Sequence, residues 1–411
     1  LPKDKEMNQH LARILPNNLE ELLKLHKNYL NGVANGQRLI IKFADFSNLD
    51  FHDFDFSEAI FISCDFSRTN LENCCFDGAS VSGCNFSNAK MKSVSMVKAD
   101  IRGAILRGAD LAMANLEDAD LREGKIPKAD TNNQISTIEN IDRPTDARNA
   151  NFTGANLGNS KMENIAAFGA NFQFSTLNGA NLAGALLKNC DFSGANLAGA
   201  TLKGALIDGA IFYDAILTGT NFGQNLPASD NLTGALLSIN KDENINKNNL
   251  IQALINHQTW YETNGNSGNV AIFENLDLRG ISQYFKERCL TALNAKGCIA
   301  AGILFLESQL QGANFENADL RGASFIKADL RGANFRNARL IKANFSHSNL
   351  GSLIIGNQNK IADFSNADLR YACFDNAFLH EANFANAKTD DASFNGANVL
   401  GKTTSQNAII I

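Results

Sequence analysis

Between Leu310 and Leu350 a large apolar residue returns at every fifth position: Leu310, Phe315, Leu320, Phe325, Leu330, Phe335, Leu340, Phe345 and Leu350. Ala313, Ala318, Ala323, Ala328, Ala333, Ala338 and Ala343 each stand two residues before the next large one. A straight chain cannot use this spacing. A helix turns ~100° per residue and a strand flips ~180°, so a period of five would carry either element's apolar residues out of the core. A corner must therefore redirect the backbone once per pentad. The Gly, Asn and Asp in the remaining places are corner formers, because Gly tolerates positive φ and Asn or Asp hydrogen-bonds to nearby backbone. The small residue and the Phe or Leu then face inward, and the other three positions face solvent. One such coil cannot bury its own interior, so coils must stack.

The segments ANFENADLRGASF, GANLAGATL and ADLRGANF resemble the pentapeptide-repeat family, whose unit is small, Asn/Asp, Leu/Phe, polar, Gly or polar. The resemblance implies a mainly β fold, a right-handed quadrilateral β-helix with four pentads per coil, closed by short capping helices. Twenty residues would then separate positions stacked on one face. Phe315 and Phe335 would stack on one face and Phe325 and Phe345 on the opposite face, with Leu320, Leu330 and Leu340 filling the other two.

In chain order, residues 1–38 read as an N-terminal helical cap. Leu19, Leu22, Leu23, His26, Tyr29 and Leu30 lie at helical spacing, Asn17 or Asn18 is placed to cap the start, and Gly32 and Gly36 end the run. A first tower spans 39–239. Its expected inward residues include Phe46, Phe66, Phe86, Leu111, Phe152, Phe172, Phe192 and Phe212, with Leu49 and Phe54 as oversized occupants of small slots. After Ile126 the pattern dissolves into a polar loop near 131–149 and resumes at Ala150 and Phe152, one residue out of phase. Ala167 and Ile165 exchange sizes, which conserves core volume. Pro227 disturbs a corner, and Leu232 and Leu237 end the run.

Residues 240–269 read as a second helical cap or linker: Leu250, Leu254, His257 and Trp260 match Leu19, Leu23, His26 and Tyr29 in spacing. Ala271, Phe273, Asn275, Leu276 and Asp277 then match Ala44, Phe46, Asn48, Leu49 and Asp50, so the chain reads as one plan used twice. A second tower spans 270–400. It is degenerate over 279–307, where Arg288 and Leu293 suit small slots badly; an inserted corner is expected there, with a short helix over YFKERCLTALNA as the alternative. After Leu350 the phase implies one pentad plus a nine-residue excursion, a loop near 351–359, before Phe364, Phe374 and Phe384. Residues 401–411 form a tail ending in Ile409, Ile410 and Ile411.

The net charge of -6 argues against general nucleic-acid or anionic-membrane binding. No 18-residue apolar run could span a bilayer, and the opening LPKDKEMNQH lacks the apolar core of a secretory signal, so a cytoplasmic, bacterial-type protein is expected. The six histidines have no nucleophile or paired carboxylate at a telling distance, and His26, Tyr29, His257 and Trp260 read as cap-packing residues. In the implied geometry Cys64 and Cys84 stack in neighbouring coils, compatible with a disulfide or metal, yet as buried substitutes for Ala they need no further role. No Gly-rich phosphate loop is present, and no cofactor, metal or catalytic residue is expected.

Two function classes remain. One is a non-catalytic scaffold that binds protein partners through faces, loops or ends, with self-association through open coil ends as a further outcome. The other, implied by the resemblance, is a DNA-mimicking regulator of DNA gyrase or topoisomerase. Arg102, Arg107, Arg122, Arg321, Arg331 and Arg336, expected on outward positions among the acids, interrupt the single-sign stripe that mimicry needs.

Overall fold

The computed structural model describes residues 16–129, 135–138, 142–238 and 244–398. The chain divides into two compact units, Leu1–Ser238 and Ile239–Ile411, and each is described by itself.

Both units are β-helical solenoids built from one hydrogen-bonding unit. In the pentad around Phe325, the Phe325 N–H donates to Asn344 O (2.7 Å), Lys327 N–H to Ser346 O (3.0 Å) and Ser324 N–H to Ile303 O (2.9 Å). The Ala328 N–H closes the corner onto Phe325 O at 3.0 Å. Three bonds per pentad thus run between coils and one shapes the corner, which accounts for most of the buried backbone. The corner residue is left-handed: Lys327 has φ 57°, and the equivalent Gly322 has φ 63°. Asn and Asp just before the large apolar residue support the same corner, as in Ser346 N–H to Asn344 Oδ1 (2.8 Å) and Ser47 N–H to Asp45 Oδ1 (2.8 Å).

The first unit opens with helix α1 (Pro16–Leu30). It starts earlier than the expected Asn17 or Asn18 cap, with Pro16 at its first position, where a missing N–H is harmless. Strands β1 (Ile40–Lys42) and β2 (Ile60–Ile62) pair in parallel, and bridges twenty residues apart follow, from Asp45–Asp65 and Asp50–Asn70 onward. Phe46, Phe66 and Phe86 stack at 4.9 and 5.1 Å, and Phe152, Phe172, Phe192 and Phe212 form a second column at 4.9, 4.9 and 5.1 Å. Leu111 is buried between coils. The oversized residues part company: Phe54 packs half-buried on Phe56, whereas Leu49, with the backbone bonds of a small-slot residue, is left 38% exposed.

The tower continues past its first excursion. Ile105 bridges Asp146 and Asp110 bridges Asn151, so the coil resumes with Thr145 and Ala147 inward, one pentad before Ala150 and Phe152. Ala147 and Ala167 follow one another in the slots for large residues, with buried Thr145 and Ile165 beside them. Near the end, a 3-10 turn (Ser229–Leu232) follows Pro227, and Leu236 still bridges Ile216 while Leu237 is exposed.

The second unit opens with helix α2 (Asn244–Glu262). The bridges Ile272–Asn294 and Asp277–Ile299 span twenty-two residues, and Cys289–Gln309 returns to twenty. The two extra residues are absorbed by a 3-10 turn at Arg279–Tyr284. The alternative helix over 284–295 does not form: Phe285, Leu290, Leu293 and Ala295 take inward pentad positions, and Arg288 is half-buried. Beyond it, Phe315–Phe335 stack at 5.3 Å and Phe325–Phe345 at 4.9 Å, with edge contacts of 5.6–5.9 Å between the two columns. Phe364, Phe374 and Phe384 extend these columns, and Leu320, Leu330 and Leu340 are buried between them. Each buried side chain of this kind contributes about 1.5–3 kcal/mol. The isoleucine tail lies outside the described residues.

Candidate functional site

Outside the core the recurrent motif is Asp-x-Arg. The carboxylate shapes the corner and the arginine two residues on folds back onto it. Arg102, Arg122, Arg331 and Arg370 each bring Nε to 2.8–2.9 Å from Oδ1 of Asp100, Asp120, Asp329 and Asp368. Asp146 is held by two arginines, Arg148 at 2.6 Å and Arg107 at 2.7 Å. Burial pushes its carboxyl up, but the two guanidinium groups overcome this and hold it below the usual carboxylate range. Arg321 does not face solvent as expected: it is 2% exposed and lies along Asp319 (2.7 Å). The same bidentate bond leaves the Arg331 side chain 41% exposed, so the surroundings of Arg321, not the pair itself, cover it.

Both excursions return as antiparallel hairpins lying on glycine. In the first unit β3 (Pro127–Ala129) pairs with β4 (Ile135–Ile138), and Gly124 bridges Arg143. Ile126 is buried outside the tower core: a methyl group at Gly103 would sit 2.8 Å from its Cδ1, and one at Gly83 3.1 Å. Arg143 pins the same shelf, donating to Gly83 O (3.0 Å) and Gly103 O (2.8 Å). Thr145 accepts from Gly103 N–H at 3.0 Å and donates to Arg122 O at 2.9 Å. Beside this base is a polar cavity of about 390 Å³ lined by Arg102, Arg122, Glu123, Asp142, Glu163 and Asn164.

In the second unit β5 (Leu353–Ile355) pairs with β6 (Gln358–Lys360) around Gly356-Asn357. Leu353 and Lys360 lie against Gly332, where a Cβ would meet theirs at 2.9 and 3.1 Å. Ile354 and Ile355 are 76% and 52% exposed, and Phe378 and Ile361 are partly exposed nearby in sequence or register. On the first tower Leu186 and Leu206, bridged in adjacent coils, also face outward, as does Phe168.

The cap residues repeat one arrangement. His26 is buried, accepts the Leu39 N–H at Nδ1 (3.2 Å) and stacks on Tyr29 at 6.0 Å. His257 is buried, accepts the Ala271 N–H at Nδ1 (2.9 Å) and packs on Trp260 at 5.5 Å. An accepting Nδ1 places the proton on Nε2, and burial lowers the pKa of both rings. The cysteines are free thiols, and burial pushes Cys74, Cys190 and Cys298 up to about 12 and raises Cys84, leaving little thiolate. Burial pulls Lys342 down to about 7. Among the described residues no His, Cys, Asp and Glu group could hold a metal ion, and no helix is long and apolar enough to cross a membrane.

The model for "Pentapeptide repeats" matches eight stretches, 41–83, 76–108, 84–123, 168–204, 186–224, 289–325, 318–351 and 362–399, which together cover more than half of the chain. The chain belongs to the pentapeptide-repeat family. Similar solved structures include a trypsin-treated form of QnrB1, described as a plasmid-mediated fluoroquinolone resistance protein, at 20% identity over 53% of this chain and 96% of that one (TM-score 0.27). Rfr23 from the cyanobacterium Cyanothece 51142 is 24% identical over 35% of this chain and 88% of its own (TM-score 0.23). HetL from Nostoc sp. strain PCC 7120, involved in heterocyst differentiation regulation, is 21% identical over 90% and 92% (TM-score 0.12). At these TM-scores the overlaps carry no weight for shape or role. No curated protein sequence matches the chain.

Two docked hairpins interrupt the pentad pattern of this chain. Sequence reasoning placed excursions at both points but missed the residues that seat them: Ile126, Arg143, Thr145, Gly83, Gly103 and Gly332. Glycines twenty residues apart in the corner position occur at these seats, at 83 and 103 and at 312 and 332, but also at 184 and 204 and at 302 and 322, so they do not single the seats out.

Proposed function

We propose that this chain is a non-catalytic interaction scaffold whose two units, each a stiff right-handed, four-sided β-helix, present their hairpins and flat faces to protein partners. The observation that carries the reading is the Asp-x-Arg pairing. An acidic surface that imitates a duplex needs rows of uncompensated carboxylates, whereas here Asp100, Asp120, Asp146, Asp329 and Asp368 each hold an arginine of the same tower. Such pairs add little stability at the surface, but they cancel the field that a DNA-binding enzyme would recognise. The second hairpin, in contrast, exposes Ile354 and Ile355, which the fold does not use.

The competing reading is the gyrase- or topoisomerase-directed DNA mimic, which the net charge of -6 favours. A DNA gyrase supercoiling assay with the full chain separates the two. No inhibition or protection at large protein excess, together with capture of a discrete protein that an Ile354→Lys, Ile355→Lys variant fails to capture, supports the scaffold. Inhibition of supercoiling at low excess overturns it in favour of mimicry.

A further inference from the structure

We propose that β5 is a dimerisation edge: two copies of this chain pair β5 with β5 around a two-fold axis through Ile354, making a four-stranded antiparallel sheet from two hairpins.

Gly356 has φ 59° and Asn357 does not share the left-handed conformation, the pattern of a two-residue hairpin turn with Gly first. Such a turn makes Ile355 and Gln358 a hydrogen-bonded pair, and the alternation of an antiparallel ladder gives Leu353 and Lys360 the next one. The intervening residue, Ile354, then directs its N–H and C=O away from β6. Neither group has a backbone partner elsewhere among the described residues. Free strand edges of this kind are pairing templates, and proteins normally blunt them with charge, proline or a bulge. β6 follows that rule with Gln358, Asn359 and Lys360; β5 is Leu-Ile-Ile and carries none of these devices.

The all-apolar β5 edge, with the charge kept on β6, suits a second copy of itself as occupant. An isologous contact is self-complementary, residue i meeting j and j meeting i, and an edge pairing around a two-fold axis is necessarily antiparallel. With the axis at Ile354, that residue exchanges both backbone bonds with its own copy, and Leu353 faces Ile355. Only apolar side chains meet, so no like charges oppose one another, as they would if Lys360 lay on the pairing edge. The 76%-exposed Ile354 and 52%-exposed Ile355 become covered, and Leu353, held on Gly332, keeps the edge in place. A contact of three residues per strand is small beside a standard interface, so the dimer is weak and concentration-dependent.

The test combines sedimentation of the full chain over a wide concentration range with residue-resolved amide exchange. The expected result is a reversible monomer–dimer equilibrium whose dissociation constant rises at least tenfold in Ile354→Lys. The Ile354 amide should exchange more slowly as concentration rises while the Asn359 amide on β6 stays unchanged. A monomer at all concentrations overturns the proposal. So does a dimer unaffected by Ile354→Lys, or one in which Ile354 exchange does not respond, which would place association elsewhere, such as at the coil ends.

Discussion

Truncating Phe325 is the most direct measure of what the aromatic columns do. Its ring stacks on Phe305 and Phe345, both at 4.9 Å, and meets Phe315 and Phe335 edge-on at 5.9 and 5.6 Å. Phe325→Ala removes the transfer term and opens a cavity between coils that the backbone ladder cannot collapse, so the expected cost is near the top of the ~3–5 kcal/mol range. Phe325→Leu keeps most of the apolar area and isolates the ring term. Each aromatic pair is worth roughly 0.5–1.5 kcal/mol beyond burial, and leucine recovers part of four such pairs, leaving a cost of about 1–2 kcal/mol. The chain has two compact units and a stacked repeat architecture, so a single unfolding midpoint is a poor readout. Native-state hydrogen exchange at the Phe325 and Asn344 amides, which donate to Asn344 O and Ala323 O, reads the loss locally. Exchange showing less than ~1 kcal/mol for alanine, or the same cost for leucine and alanine, would refute the claim that the ring columns organise the core.

The remaining expectations concern the hairpins and caps. Gly103→Ala puts a methyl group 2.8 Å from Ile126 Cδ1 at φ 63°, so it should lift the first hairpin: the Gly124 and Arg143 amides lose protection while the Phe86 amide of the tower keeps its own. Gly332→Val should do the same to the second hairpin, seen as faster exchange along β5 and β6. His257 should make α2 docking acid-sensitive. Its folded pKa lies below 6.5 because of burial, so between 6.5 and that lower value the opened state binds a proton that the docked state refuses. Stability is therefore full above pH about 6.5 and falls as the pH drops through that window; His257→Gln, which keeps an acceptor for the Ala271 N–H, should remove the slope in a pH series of Trp260 fluorescence. Arg148→Ala should leave the fold intact yet raise the Asp146 carboxyl toward its ordinary value, read by carboxyl NMR titration; an unchanged titration would mean that Arg107 alone holds it.

The primary sequence determined the repeating element by itself, because a period of five has one structural solution: a corner per pentad with one large and one small residue inside. The phase jump before Phe364 follows from counting alone, whereas the face assignments of Phe315, Phe325, Phe335 and Phe345 also needed the four pentads per coil that the family resemblance implies. Degenerate stretches such as 284–295 remained ambiguous because Arg288 and Leu293 break the composition rule while the five-residue phase survives, and neighbouring coils supply the bonds that decide in favour of the pentad. Only the tertiary structure decided how the excursions seat on the towers and which outward residues are covered. Ile126 and Ile354 are both isoleucines in breaks of the pattern, yet one is buried on a glycine shelf and the other stands in solvent. That difference depends on side chains twenty or more residues away, brought alongside by coil stacking, and no local pattern encodes it. The same holds for Arg321, whose sequence context matches that of Arg331 but whose surroundings do not. Local periodicity fixes what repeats along the axis; contacts across the faces fix everything that does not repeat.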